Sequence, residues 1–93
     1  MKINFPKELA DTTDMMISDD YRVRFRGEYF QEKIRAEKLE KFILKIEVSA
    51  ETSSSNPPKH DCPLELLKEQ LYLMQEKLRI FKKRAMYENI DLD

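Results

Sequence analysis

Leu64, Leu67, Leu71, Met74, Leu78, Phe81 and Ala85 recur at alternating intervals of three and four residues. This is the heptad rhythm of a helix that packs one side against a single partner helix. Pro63 suits the first helical position, Asp61 or Cys62 the cap, and Glu65 the slot from which a carboxylate reaches back to the cap. A helix is therefore predicted over about 63–87, with Lys82, Lys83 and Arg84 near its end to complement the macrodipole and "ENIDLD" as a trailing tail. A second helix is predicted over about 19–47. Ser18 is its cap candidate and Asp19 and Asp20 its acidic start, while positions 25, 29, 36, 39, 43 and 46 form an apolar or small stripe with Glu32 in the missing slot. Phe30, Ile34 and Phe42 widen the stripe, and Glu28–Glu32–Arg35 and Glu37–Lys41 are spaced for ion pairs along the helix. Between the two helices, about 48–62, three consecutive serines and two consecutive prolines make a loop.

The stretch "YRVRFRGEYF" alternates aromatic or aliphatic residues with arginines, which is also the period of a half-buried strand. A strand needs a partner to satisfy its backbone, and the only available segment is the very short "KINF". Helix is the favoured reading, and it places Arg22 and Arg26 four apart on one face while Arg24 projects elsewhere. Residues 1–17 form an amino-terminal arm. Pro6 begins about two turns of helix ahead of the threonine pair. Ile3, Phe5, Leu9, Met15, Met16 and Ile17 are too many apolar side chains for a free tail, so the arm is expected to fold back. The predicted fold class is all-α: an antiparallel, coiled-coil-like hairpin over 18–93 with a short amino-terminal helix as a possible third layer.

Leu66, Leu73, Ile80 and Tyr87 form a further row with a period of seven. At about 100° per residue it lies well over 90° around the cylinder from the seam, so one partner helix cannot cover both. Buried apolar area is worth about 25 cal/mol per Å², and exposing the whole row forfeits several kcal/mol of a small total. The amino-terminal arm is too short to span four turns. Self-association, as a dimer or a larger oligomer, is the expectation, with these four residues at the interface.

Composition narrows the setting. A chain of 93 residues supports one domain, and a single glycine is too few for a sandwich or barrel. Seventeen basic and eighteen acidic side chains leave a net charge of -1, which makes DNA an unfavourable partner and confines any anion site to a local cluster. One cysteine excludes an internal disulfide, and no apolar run approaches a membrane span; a cytoplasmic, reducing location is expected, without a membrane partner.

Candidate chemistry is sparse. His60, Asp61 and Cys62 adjoin one another, but a zinc site needs four ligands and the chain has no second His or Cys, so a capping turn is the better reading and no metal is expected. No phosphate loop, nucleophile elbow or nucleotide fingerprint is present, which points to a protein that is not an enzyme and needs no cofactor. Arg22, Arg24 and Arg26, flanked by Tyr21 and Tyr29, are the best binding candidates. Guanidinium forks grip phosphate and aromatic faces stack on bases, so the cluster is suited to a nucleotide or an acidic surface; the plainer alternative is a charged turn paired with Asp19, Asp20 and Glu28.

Glu28-Tyr29, "EKLEKFI", Cys62-Pro63 with Leu66-Leu67 and Gln70, and Arg84-Ala85 ahead of "ENIDL" together resemble a family of small phage- and prophage-encoded proteins related to one first catalogued in crAss-like phages. The resemblance spans roughly 19–92 and implies a phage origin and a bacterial host cell, but no site residues. The layout is similar to that of anti-CBASS sponges, which oligomerise and sequester cyclic nucleotide signals, although their motif residues are absent here. The expected function is that of an oligomeric phage binding module that masks a bacterial defence protein or sequesters a nucleotide immune signal. The alternative is a scaffold mediating protein contacts in phage or host assemblies.

Overall fold

The computed structural model describes residues 8–92, which form three helices: α1 Leu9–Met16, α2 Tyr21–Glu51 and α3 Leu64–Glu88. No strand occurs among the described residues, so 21–26 open a helix. Asp20 is the cap, its Oδ1 accepting from the Arg22 N–H at 2.9 Å, and Ser18 sits two residues further out, accepting from the Asp20 N–H through Oγ at 3.1 Å. The cap thus lies two residues later than the Ser18 reading places it.

α2 also runs four residues beyond the expected end at Glu47. Nothing in Val48, Ser49 or Ala50 forbids a helix; it stops where the Thr52 hydroxyl donates back to the Val48 carbonyl at 2.8 Å and Ser53 takes a φ of 54°. At α3, Pro63 is the cap residue rather than the first helical one. Its ψ of 142° is extended, its carbonyl accepts from the Leu66 N–H at 3.1 Å, and Glu65 meets Lys68 at 4.0 Å instead of reaching back.

The two long helices run antiparallel. Phe25 stacks on Phe81 with ring centroids 5.0 Å apart, Lys77 reaches Glu32 at 3.1 Å and Glu28 at 3.7 Å, and Lys68 reaches Glu47 at 4.0 Å. Glu28 and Glu32 therefore pair across the hairpin, not along α2 with Arg35. The heptad seam of α3 faces α2, from half-buried Leu64, Leu67 and Leu71 at the loop end to buried Phe81 and Ala85 at the open end. The core is deepest at that open end, where Phe25, Tyr29, Phe30, Phe81 and Ala85 cluster. A fully buried Phe is worth roughly 1.5–3 kcal/mol, so this end anchors the hairpin.

The tail is not a trailing one. Asn89 adopts the left-handed conformation, φ 55° and ψ 43°, which Asn tolerates at a helix end, and the Ile90 N–H bonds to the Ala85 carbonyl at 2.9 Å. The chain turns back on itself, and Ile90 and Leu92 join the core cluster. The α3 carboxy terminus also lies beyond the Lys82–Arg84 run, and its last turn holds no basic residue of its own.

α1 is two turns long but starts later than expected, with the Glu8 N–H donating to Asp11 Oδ2 at 3.2 Å, and it continues through both threonines. It packs against α2. Gly27 makes the contact close: a Cβ there would stand 2.7 Å from Met15 Cβ and 3.2 Å from Met15 backbone. Thr12 is fully buried and satisfied, donating to the Leu9 carbonyl at 2.7 Å. α2 is thus apolar on two faces, one toward α1 and one toward α3, and α1 forms a layer on α2. Pro6, Ile3 and Phe5 lie outside the described residues.

Candidate anion site at the open end of the hairpin

The start of α2 and the end of α3 meet at the open end. Arg22 donates through its two terminal nitrogens to the carbonyls of Asn89, at 3.2 Å, and Glu88, at 3.4 Å. One turn on, Arg26 Nε donates to the Asp91 carbonyl at 2.8 Å. The i, i+4 spacing noted in the sequence thus puts both guanidinium groups against one stretch of main chain. Arg24 points elsewhere, donating to the Ser18 carbonyl at 2.7 Å in the α1–α2 link. The pairing of the triplet with Asp19, Asp20 and Glu28 is not what holds it: the hydrogen bonds of all three guanidinium groups among the described residues end on uncharged carbonyls.

Arg22 also supplies what α3 lacks. The last carbonyls of a helix are unpaired and carry the negative end of its dipole, and a cation placed there is favourable by about 0.3–1 kcal/mol. Here the cation comes from the facing helix.

Tyr21 is half exposed, and its hydroxyl is held from both sides. Arg84 donates to it at 2.8 Å, and it donates to Glu88 Oε1 at 2.9 Å, while Arg84 Nε lies 3.4 Å from Glu88 Oε2. The Arg84 guanidinium lies 5.0 Å from the Phe25 ring centroid and 5.4 Å from that of Phe81. Such stacking on aromatic faces fixes the fork in place. Arg84 is a member of this site that sequence reasoning did not assign to it. Its only signal was membership of a basic run, read as a helix-end feature.

Tyr29 does not share the exposed surface. It is 3% exposed, packed edge-on to Phe30 at 5.1 Å, and forms the floor of a shallow pocket whose rim includes Lys82, Met86 and Asp91. Its ring is core first. The open end therefore gathers Tyr21, Arg22, Arg26 and Arg84, with Lys82 at the neighbouring pocket.

The outer row of α3 stays uncovered in the single chain: Leu66, Leu73, Ile80 and Tyr87 are 53%, 60%, 49% and 87% exposed. At the loop end, Cys62 is free and exposed, and its carbonyl lies 2.6 Å from His60 Nδ1, whose ring stands edge-on to Phe42. Among the described residues no three His, Cys, Asp or Glu side chains come together in a way that could hold a metal ion, and no helix is long and apolar enough to cross a membrane.

A protein-family model described as Sequestin matches residues 19–87, most of the chain. The matched span begins two residues before α2 and stops short of the Asn89–Leu92 tail. No curated protein and no solved structure shows significant similarity to the chain.

Proposed function

The chain belongs to the Sequestin family, and from that premise we propose that it is a non-enzymatic, self-associating binding module that sequesters an anionic nucleotide signal. In this reading it is a phage protein acting in the bacterial cytoplasm, where removing a defence messenger blunts the response that the messenger triggers. The family name supports sequestration as the mode of action.

The observation that carries the choice of ligand is the bonding of the open-end arginines. Among the described residues the guanidinium hydrogen bonds of Arg22 and Arg26 end on neutral carbonyls, and Arg84 stands beside them on a rigid aromatic base. Carbonyl oxygens occupy the positions that phosphate oxygens take in a guanidinium fork, and a charged acceptor there makes a hydrogen bond roughly twice as strong as a neutral one. Tyr21 offers the exposed aromatic face.

Calorimetric titration of the full chain with a panel of cyclic di- and trinucleotides tests this. Binding by at least one member, lost in Arg22→Ala and Arg26→Ala variants that remain helical, is the expected result. Silence across the panel, or affinity unchanged in both variants, overturns it and leaves the masking of a defence protein or a scaffold role, each of which predicts a protein partner instead.

A further inference from the structure

Residues 88–92 are held in two ways at once. The carbonyls of Glu88, Asn89 and Asp91 accept from Arg22 and Arg26 at 3.4, 3.2 and 2.8 Å. The side chains of Ile90 and Leu92 are buried in the cluster of Phe25, Tyr29 and Phe81. The same short stretch also brings in a carboxylate: Glu88 accepts from the Tyr21 hydroxyl at 2.9 Å and lies 3.4 Å from Arg84 Nε. Tyr21, Arg22, Arg26 and Arg84, the four side chains gathered at the open end, are therefore all engaged by residues 88–91. Capping α3 needs only one cation at its end. The convergence of the whole group on one stretch asks for a further role.

We propose that residues 88–92 are an internal competitor for the anion site. The stretch takes the donors that an anionic ligand needs, and a bound ligand loosens the stretch in return. The inference rests on the reading of the open end as an anion site, and adds the regulation of that site by the chain's own carboxy-terminal segment.

The competition follows from donor geometry. Arg22 commits its two terminal nitrogens to Asn89 and Glu88, and Arg26 its Nε to Asp91. A phosphate gripped by the same atoms displaces those carbonyls. The Glu88 carboxylate adds to the effect, because an incoming anion meets it beside Arg84. Once the arginines are drawn away, the last carbonyls of α3 lose their partners. The tail is then held by the Ile90 N–H bond to Ala85 and by the two apolar side chains. Ile90 and Leu92 are joined to the released carbonyls through a few backbone bonds, so both attachments loosen together. Linkage makes the effect reciprocal: the factor by which ligand weakens tail docking is the factor by which docking weakens ligand binding. Ligand affinity in the intact chain is thus lowered by the fraction of molecules whose tail is docked.

Two side-chain variants test this, Ile90→Ala and the milder Leu92→Ala, which keeps the test readable if the first unfolds. Both weaken the apolar attachment and leave every donor, carbonyl and charge of the site in the chain. Ending the chain at Asn89 is unsuitable, because it would set a terminal carboxylate against Arg22. In calorimetric titration with the panel of cyclic di- and trinucleotides, the folded variants are expected to bind a panel member at least about fivefold more tightly than the parent, the low end of ordinary coupling between sites. In the parent chain, saturation with that member is expected to speed hydrogen exchange at the Ile90 amide and leave the Leu73 amide, in the middle of α3, unchanged. Equal or weaker affinity in the folded variants, or an Ile90 amide that exchanges no faster at saturation, overturns the competition and leaves the anion site standing. Silence from the parent and from both variants overturns the anion site itself, and the competition with it.

Discussion

The guanidinium of Arg22, at the first turn of α2, hydrogen-bonds the main-chain carbonyls of Glu88 and Asn89 at the last turn of α3. One side chain thereby caps a helix that has no cation in its own last turn and pins the turn that sends the tail back into the core. Arg22→Ala removes both contacts. The expected cost is about 0.5–1 kcal/mol, typical of a cation at a helix carboxy terminus, read as a lower urea midpoint at unchanged slope. No change in midpoint would mean that water caps α3 equally well.

The tail is expected to matter far more. Ile90 and Leu92 are 6% and 9% exposed against Phe25, Tyr29 and Phe81. Ile90→Ala should cost about 2–4 kcal/mol, as for other large-to-small changes in a core. Ending the chain at Asn89 should cost more still and expose the aromatic cluster to a dye such as ANS. A truncated chain of wild-type stability would contradict this packing.

Gly27→Ala sets two effects against each other. Alanine favours a helix interior by about 1 kcal/mol over glycine, but its Cβ would stand 2.7 Å from Met15 Cβ with backbone close behind. Steric conflict should win, lifting α1 from α2. Limited proteolysis should then cut near Ile17–Ser18 faster than in the parent protein, while the circular dichroism of α2 and α3 is retained.

Lys77 bridges Glu28 and Glu32 in a partly exposed setting. Exposed ion pairs contribute little, so Lys77→Met should change stability by less than about 1 kcal/mol, and the difference should shrink further in high salt. A large, salt-insensitive loss would place the bridge in the core of the hairpin's stability.

The long helices were legible because their signals are local and repeated. The seam from Leu64 to Ala85 and the acidic start at Asp19 and Asp20 each state a helix without reference to anything distant. The same signals stop α2 at Glu47 because loop composition sets in near Val48, although the serines and prolines that break a helix come later. The tail was missed for a different reason. Ile90 and Leu92 are buried by a left-handed turn at Asn89 and by Arg22, which is 67 positions from Asn89, and no window of sequence contains that relation. Likewise Arg22 and Arg26 were legible as a pair on one face, while Arg84 joined them only once the hairpin closed, and Tyr29 gave no sign of which side of α2 it would take.

α3 has a second apolar side that the single chain leaves exposed, with Leu73 and Ile80 at its centre, and self-association is what would cover it. Light scattering across a dilution series measures this most directly. A mass at least twice the 11.2 kDa of the chain, falling to a monomer in a Leu73→Lys variant that keeps its helicity, is the predicted result. A single chain of 11.2 kDa at every concentration, with a cooperative unfolding transition and Leu73 in solvent, would contradict it.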